Sequence, residues 1–162
     1  MKMWLKILVV TALALVVLQF IRPQKNVAAT VSSNRISASA DVEQILKQSC
    51  DDCHSNNTTY PWYSNIQPVG WWLAHHVDEG KRELNFDEFA TYSPRKKYHK
   101  LEETEEVVAE KEMPLPSYLW THKQATLTSE QQQALIKWSK DLRAELELTY
   151  PKDSLIFKKP KR

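Results

Sequence analysis

The chain has 162 residues, 42% hydrophobic and 26% charged, with two cysteines and only two glycines, Gly70 and Gly80. That length makes one domain with an appendage, and two isolated glycines exclude phosphate cradles and dinucleotide sites, which need clustered glycines for close backbone approach. Of the 22 basic residues, four (Lys2, Lys6, Arg22 and Lys25) flank an N-terminal apolar segment; the other 18 stand against 20 acidic ones, a balance that disfavours nucleic-acid binding.

From Ile7 to Ile21 every residue is apolar except Thr11 and Gln19. Counted from Met3 the run is 19 residues, roughly 28 Å as a helix, close to the ~30 Å hydrocarbon core of a bilayer. Arg22 and Pro23 follow at once, and the small-x-small site at Ala38-Ser39-Ala40 lies too far downstream for ordinary cleavage. Residues 1–25 therefore read as an uncleaved signal anchor, a transmembrane helix, rather than a removed signal peptide. Its flanking charges barely orient it, and the chemistry downstream must supply the inner-membrane orientation with the body in the periplasm. Residues 26–40 lack hydrophobic periodicity and read as a flexible tether.

Val42, Ile45 and Leu46 recur at helical spacing, with Asp41 as a plausible cap, and lead into Cys50-Asp51-Asp52-Cys53-His54. This is the C-x-x-C-H pattern of covalent c-type haem attachment. Positions i, i+3 and i+4 share one helical face, so two thiols can meet one porphyrin edge while the imidazole reaches the iron. A thioredoxin-like pair would usually follow a strand, and none is read here. A zinc site needs more ligands at paired spacing, and a disulfide across two residues closes too small a loop to stabilise much.

Past the motif, Tyr60, Trp62 and Tyr63 form an aromatic knot suited to a porphyrin wall, and Trp72 is a further candidate for that wall. Val69, Trp72, Leu73 and His76 make the apolar stripe of a helix over about Pro68–Gly80. Ser93-Pro94 opens a charged helix to about Glu112, with Tyr98, Leu101 and Val108 inward. Met113, stiffened by Pro114 and Pro116, is the favoured distal iron ligand. His76 is the alternative, ahead of His75, His99 and His122. A Thr128-x-x-Gln131 capping box starts the last helix, whose core face is Leu135, Trp138, Ser139, Leu142 and Leu146.

The stretches CDDCHSNNTTYPWYSNIQPVGWWLAHHVDEGKRELNF and MPLPSYLWTHKQATLTSEQQQALIKWS resemble the haem-binding-domain family, small exported or membrane-anchored bacterial proteins with one CxxCH site. Lys81 stands where that resemblance leads one to expect arginine. It implies one covalent haem c on Cys50 and Cys53 with His54 proximal, over about residues 40–145.

The fold expected is mostly α, a cytochrome c-like arrangement of about four helices and long loops around the haem, preceded by the membrane helix. Residues 41–150 form the c-type haem-binding domain and 151–162 a loose basic tail. The function expected is a membrane-anchored periplasmic monohaem electron-transfer cytochrome with a redox partner protein. A haem-based sensor or gas-binding module with a displaceable sixth ligand is the alternative. A peroxidase is disfavoured for want of a distal acid–base pair, and neither nucleotide nor nucleic acid is a partner.

Overall fold

The computed structural model describes residues 2–30 and 32–156. Among them the chain is mostly helical. The α-helices are α1 (Met3–Leu18), α2 (Ala40–Ser49), α3 (Asp51–His54), α4 (Val69–Glu83), α5 (Pro94–Ala109), α6 (Pro116–Leu119), α7 (Ser129–Thr149) and α8 (Lys152–Leu155). Short 3-10 turns cover Trp62–Asn65, Phe86–Thr91 and Lys123–Ala125, and the one β feature is an isolated bridge between Val27 and Asn57. Eight helices replace the four or so expected, because α3, α6 and α8 are single turns of four residues.

α1 corrects the first expectation. It has 16 residues, about 24 Å at 1.5 Å per residue, and no helix among the described residues is long and apolar enough to cross a membrane. Gln19 stops it short of Ile21: its Nε2 donates to Leu15 O (2.9 Å) and Gln67 O (3.2 Å), and its Oε1 accepts from Gln67 N (2.9 Å). Trp71 Nε1 then donates to Ile21 O at 2.8 Å. The expected membrane-spanning element is overturned, and with it the membrane as a partner and the inner-membrane, periplasmic placement that rested on it.

The segment read as a tether is strapped to the body. Asn26 N donates to the Tyr60 hydroxyl (2.8 Å), Asn26 Oδ1 accepts from Lys81 Nζ (2.6 Å), and Ala28 N donates to Asn56 O (2.9 Å). Ile36, 5% exposed, donates its N–H to Phe86 O at 2.8 Å, and Trp138 Nε1 donates to Ser37 O at 2.9 Å. Such a strap is held by bonds between polar and backbone groups, which leave no periodic trace in a sequence.

Ile36, Val42, Ile45 and Leu46 meet Phe86, Leu101, Leu135 and Trp138 in one core. Full burial of a leucine such as Leu46 or Leu135, each 1% exposed, is worth about 1.5–3 kcal/mol. α7 lies mainly along α5 and only in part against α2. Arg143 ties the pair, donating to Glu102 and Glu105 at 3.0 Å each. The Ser93 cap and the Thr128–Gln131 capping box form as their residues suggest, whereas α2 is preceded by Ser39, with Asp41 inside its first turn. Of the basic tail, Lys152–Leu155 make α8 and Leu155 is buried; residues 157–162 lie outside the described residues.

Candidate functional site

α2 buries Val42, Ile45 and Leu46 and ends at Ser49; Cys50, at φ −127° and ψ −38°, leaves the helical path. α3 then makes one turn, with the amides of Cys53 (3.1 Å) and His54 (3.0 Å) donating to Cys50 O. The turn brings Cys50, Cys53 and His54 to the wall of one cavity of about 320 Å³, which Met113 and His76 also line. Neither cysteine is in a disulfide. Burial, reinforced by Asp51, pushes the Cys50 thiol up to about 12, and burial with Asp52 pushes Cys53 to about 11. Reactive redox pairs depend on a lowered thiol pKa, so the thioredoxin-like reading loses ground.

His54 is held with one ring nitrogen bonded to the backbone and the other free. Its Nδ1 lies 2.8 Å from Leu84 O; a carbonyl can only accept, so Nδ1 carries the proton and Nε2 keeps its lone pair. Burial holds the imidazole below its ordinary value, against the pull of the Leu84 and Gly80 carbonyls. A backbone acceptor behind a ligating histidine is the usual device for fixing its tautomer and ring orientation. Gly80 sits inside α4, which runs on past the expected end to Glu83. A Cβ there would lie 2.6 Å from Cys53 O, so the missing side chain lets α4 press onto the motif.

A second cavity of about 560 Å³ shares Asp52, Cys53, His76, Leu115 and Tyr118 with the first. The predicted stripe of α4 lines it: Val69, Trp72, Leu73 and His76 face this cleft, and Trp72 is 47% exposed. Val77 is the α4 side chain buried at 2%. Tyr63 lines the cleft too, its hydroxyl 2.8 Å from Thr121 Oγ1. Tyr60 and Trp62 are placed elsewhere: Tyr60 accepts from the strap at Asn26, and Trp62 is 76% exposed.

The other histidines separate by position. His76 Nδ1 is 2.9 Å from Trp72 O, which leaves its Nε2 open as well. His75 pairs with Glu79 at 3.5 Å and His99 with Glu103 at 3.0 Å. His122 lines the larger cavity and stacks on Tyr118, centroids 4.1 Å apart and planes at 11°. Sequence reasoning missed Tyr118, the Leu84 carbonyl and the role of Gly80. Only Gly80 carried a signal, since a glycine within a helical pattern usually has a packing reason.

These walls suit a large flat apolar group held at one edge by two thiols and at its centre by an imidazole. Ser49 Oγ, buried beside Cys50 on the smaller cavity, has no hydrogen-bond partner among the described residues. Among the described residues no three His, Cys, Asp or Glu side chains are grouped to hold a metal ion by themselves. A metal carried in a macrocycle asks the chain for axial ligands alone. A family model described as a haem-binding domain matches residues 13–141. No curated protein and no solved structure matches the chain.

Proposed function

The chain belongs to the haem-binding domain family, and from that membership we propose a c-type monohaem protein that carries single electrons. Cys50 and Cys53 would hold the group covalently, and His54 Nε2 and Met113 would ligate its iron. The observation that carries this reading is the meeting of all four side chains on one cavity, with the His54 proton parked on Leu84. Bound haem supplies a one-electron iron couple, whose potential depends on axial ligands, burial and nearby hydrogen bonds.

Met113 is favoured over His76 because of which wall each occupies. α4 bears His76, and the same helix backs the motif at Gly80 and leads into Leu84, which holds His54. Met113 arrives on a separate segment, after α5 and before α6. Its entry is pinned by the Glu112 and Met113 amides, both donating to Val107 O at 2.9 and 3.2 Å. Tyr118 lines both cavities and Trp72 the larger one, so both would contribute apolar wall to the group.

The test is intact mass and visible absorption of protein matured in a host that attaches haem. Wild type should weigh one haem more than its polypeptide, and the Cys50→Ala/Cys53→Ala variant should weigh no more than its amino acids. Wild type should be low-spin with a weak far-red thioether–iron band, absent in Met113→Ala and kept in His76→Ala. A bare polypeptide mass rejects the covalent reading, and a Met113→Ala spectrum identical to wild type rejects the axial assignment.

A further inference from the structure

Resting on the reading of Met113 as distal ligand, we propose that Tyr118 is a positioning residue. It latches the Met113 loop to the middle of the attachment motif and so governs how readily the sixth coordination position opens. The Tyr118 hydroxyl donates to Asp52 Oδ2 at 2.7 Å, and Asp52 lies between the two cysteines. The acceptor is itself fixed: its Oδ1 accepts from Thr59 N (2.8 Å) and its carbonyl from Thr58 Oγ1 (2.7 Å). The donor ring is steadied by its stack on His122. Tyr118 lines both cavities, so the bond sits on the wall of the site.

The loop is therefore clamped at two ends. Val107 O holds its entry through the amides of Glu112 and Met113, and Tyr118 holds its exit. Pro114 and Pro116 stiffen the connector between them by fixing φ at both positions, so a displacement of Tyr118 is passed to Met113 rather than absorbed. The next tie downstream, Tyr63 to Thr121, is an exposed hydroxyl pair and stabilises little in water. A hydrogen bond to a partly buried carboxylate is stronger, and its loss corresponds to about ten- to a hundredfold in the population of an opened loop.

Carbon monoxide binding to the reduced, haem-loaded protein reads that population, together with the far-red band. Tyr118→Phe and Asp52→Ala should each speed carbon monoxide binding about tenfold and weaken the band. Asp52→Asn, which keeps an acceptor oxygen, should stay within about threefold of wild type. The double variant should be no faster than either single one, because both remove the same bond. If Tyr118→Phe binds carbon monoxide at the wild-type rate while Met113→Ala loses the band, the latch is refuted and the axial reading stands. If the two single effects simply add, the latch is equally refuted. If Met113→Ala keeps the band, the axial reading fails and the latch with it.

Discussion

Arg35→Ala should destabilise the haem-loaded protein by about 3 kcal/mol, the low end of the range for removing one partner of a buried ion pair, because Asp87 is buried but Arg35 and Asp51 only partly so. The guanidinium, 15% exposed, gives Nη2 to both carboxylate oxygens of Asp51 (3.0 and 2.9 Å) and Nη1 to Asp87 Oδ1 (2.9 Å). Asp87, 7% exposed at its side chain, also accepts from Asn56 N at 2.8 Å, just past the motif. Alanine would leave two carboxylates with little water and no cation. The third partner, Glu43, is 42% exposed and adds little.

Against a typical total of about 5–15 kcal/mol, such a loss is large. It falls where function sits, since Asp51 follows Cys50 directly and Arg35 comes from the strap. Arg35→Lys should recover only part, because one ammonium cannot reproduce a fork that serves three carboxylates. Denaturant unfolding of the three proteins measures the difference. A loss below about 1 kcal/mol, the scale of an exposed pair, would show that the strap does not clamp the motif.

What the sequence made legible follows from periodicity and capping chemistry. Val42, Ile45 and Leu46 in α2, and Leu135, Trp138 and Ser139 in α7, are buried on the faces their spacing implied. The Thr128 box and the Ser93 cap depend on neighbours three residues away and were readable for that reason. Contacts across long separations were not. Nothing near Gln19 announces Gln67, so the apolar run was read past the point where the helix stops.

The stripe of α4 shows a subtler limit. Its apolar pattern predicts an inward face, yet Val69 and Trp72 are exposed and Val77, off that stripe, is the buried side chain. Here Val69, Trp72 and Leu73 line a cavity rather than protein core. Tyr60, Trp62 and Tyr63 are close in sequence yet occupy the strap contact, the surface and the cleft wall. In an irregular segment no period tells which aromatic turns inward. Tyr118 carries no local signal, because its partner, Asp52, lies 66 residues away in sequence.

Gly80→Ala should also destabilise, and here two effects of opposite sign must be weighed. Gly80 is in the interior of α4, where alanine is ordinarily better by about 1 kcal/mol. The added Cβ, however, would stand 2.6 Å from Cys53 O, 3.0 Å from Cys53 Cβ and 3.2 Å from Cys53 C. The nearest of these is a backbone atom in a turn held by hydrogen bonds, so no side chain can swing aside. α4 itself must lift from α3. Overpacking of this kind costs about 1–3 kcal/mol, and with backbone as the obstacle the upper part of that range applies and outweighs the propensity gain. The shift would also reach His54, because Leu84, four residues on, accepts its proton at 2.8 Å. The expected result is a lower midpoint in thermal unfolding together with a changed absorption spectrum of the loaded protein. A variant with a raised midpoint and a wild-type spectrum would mean that α4 and the motif have room to spare, and that the close approach does not hold His54 in place.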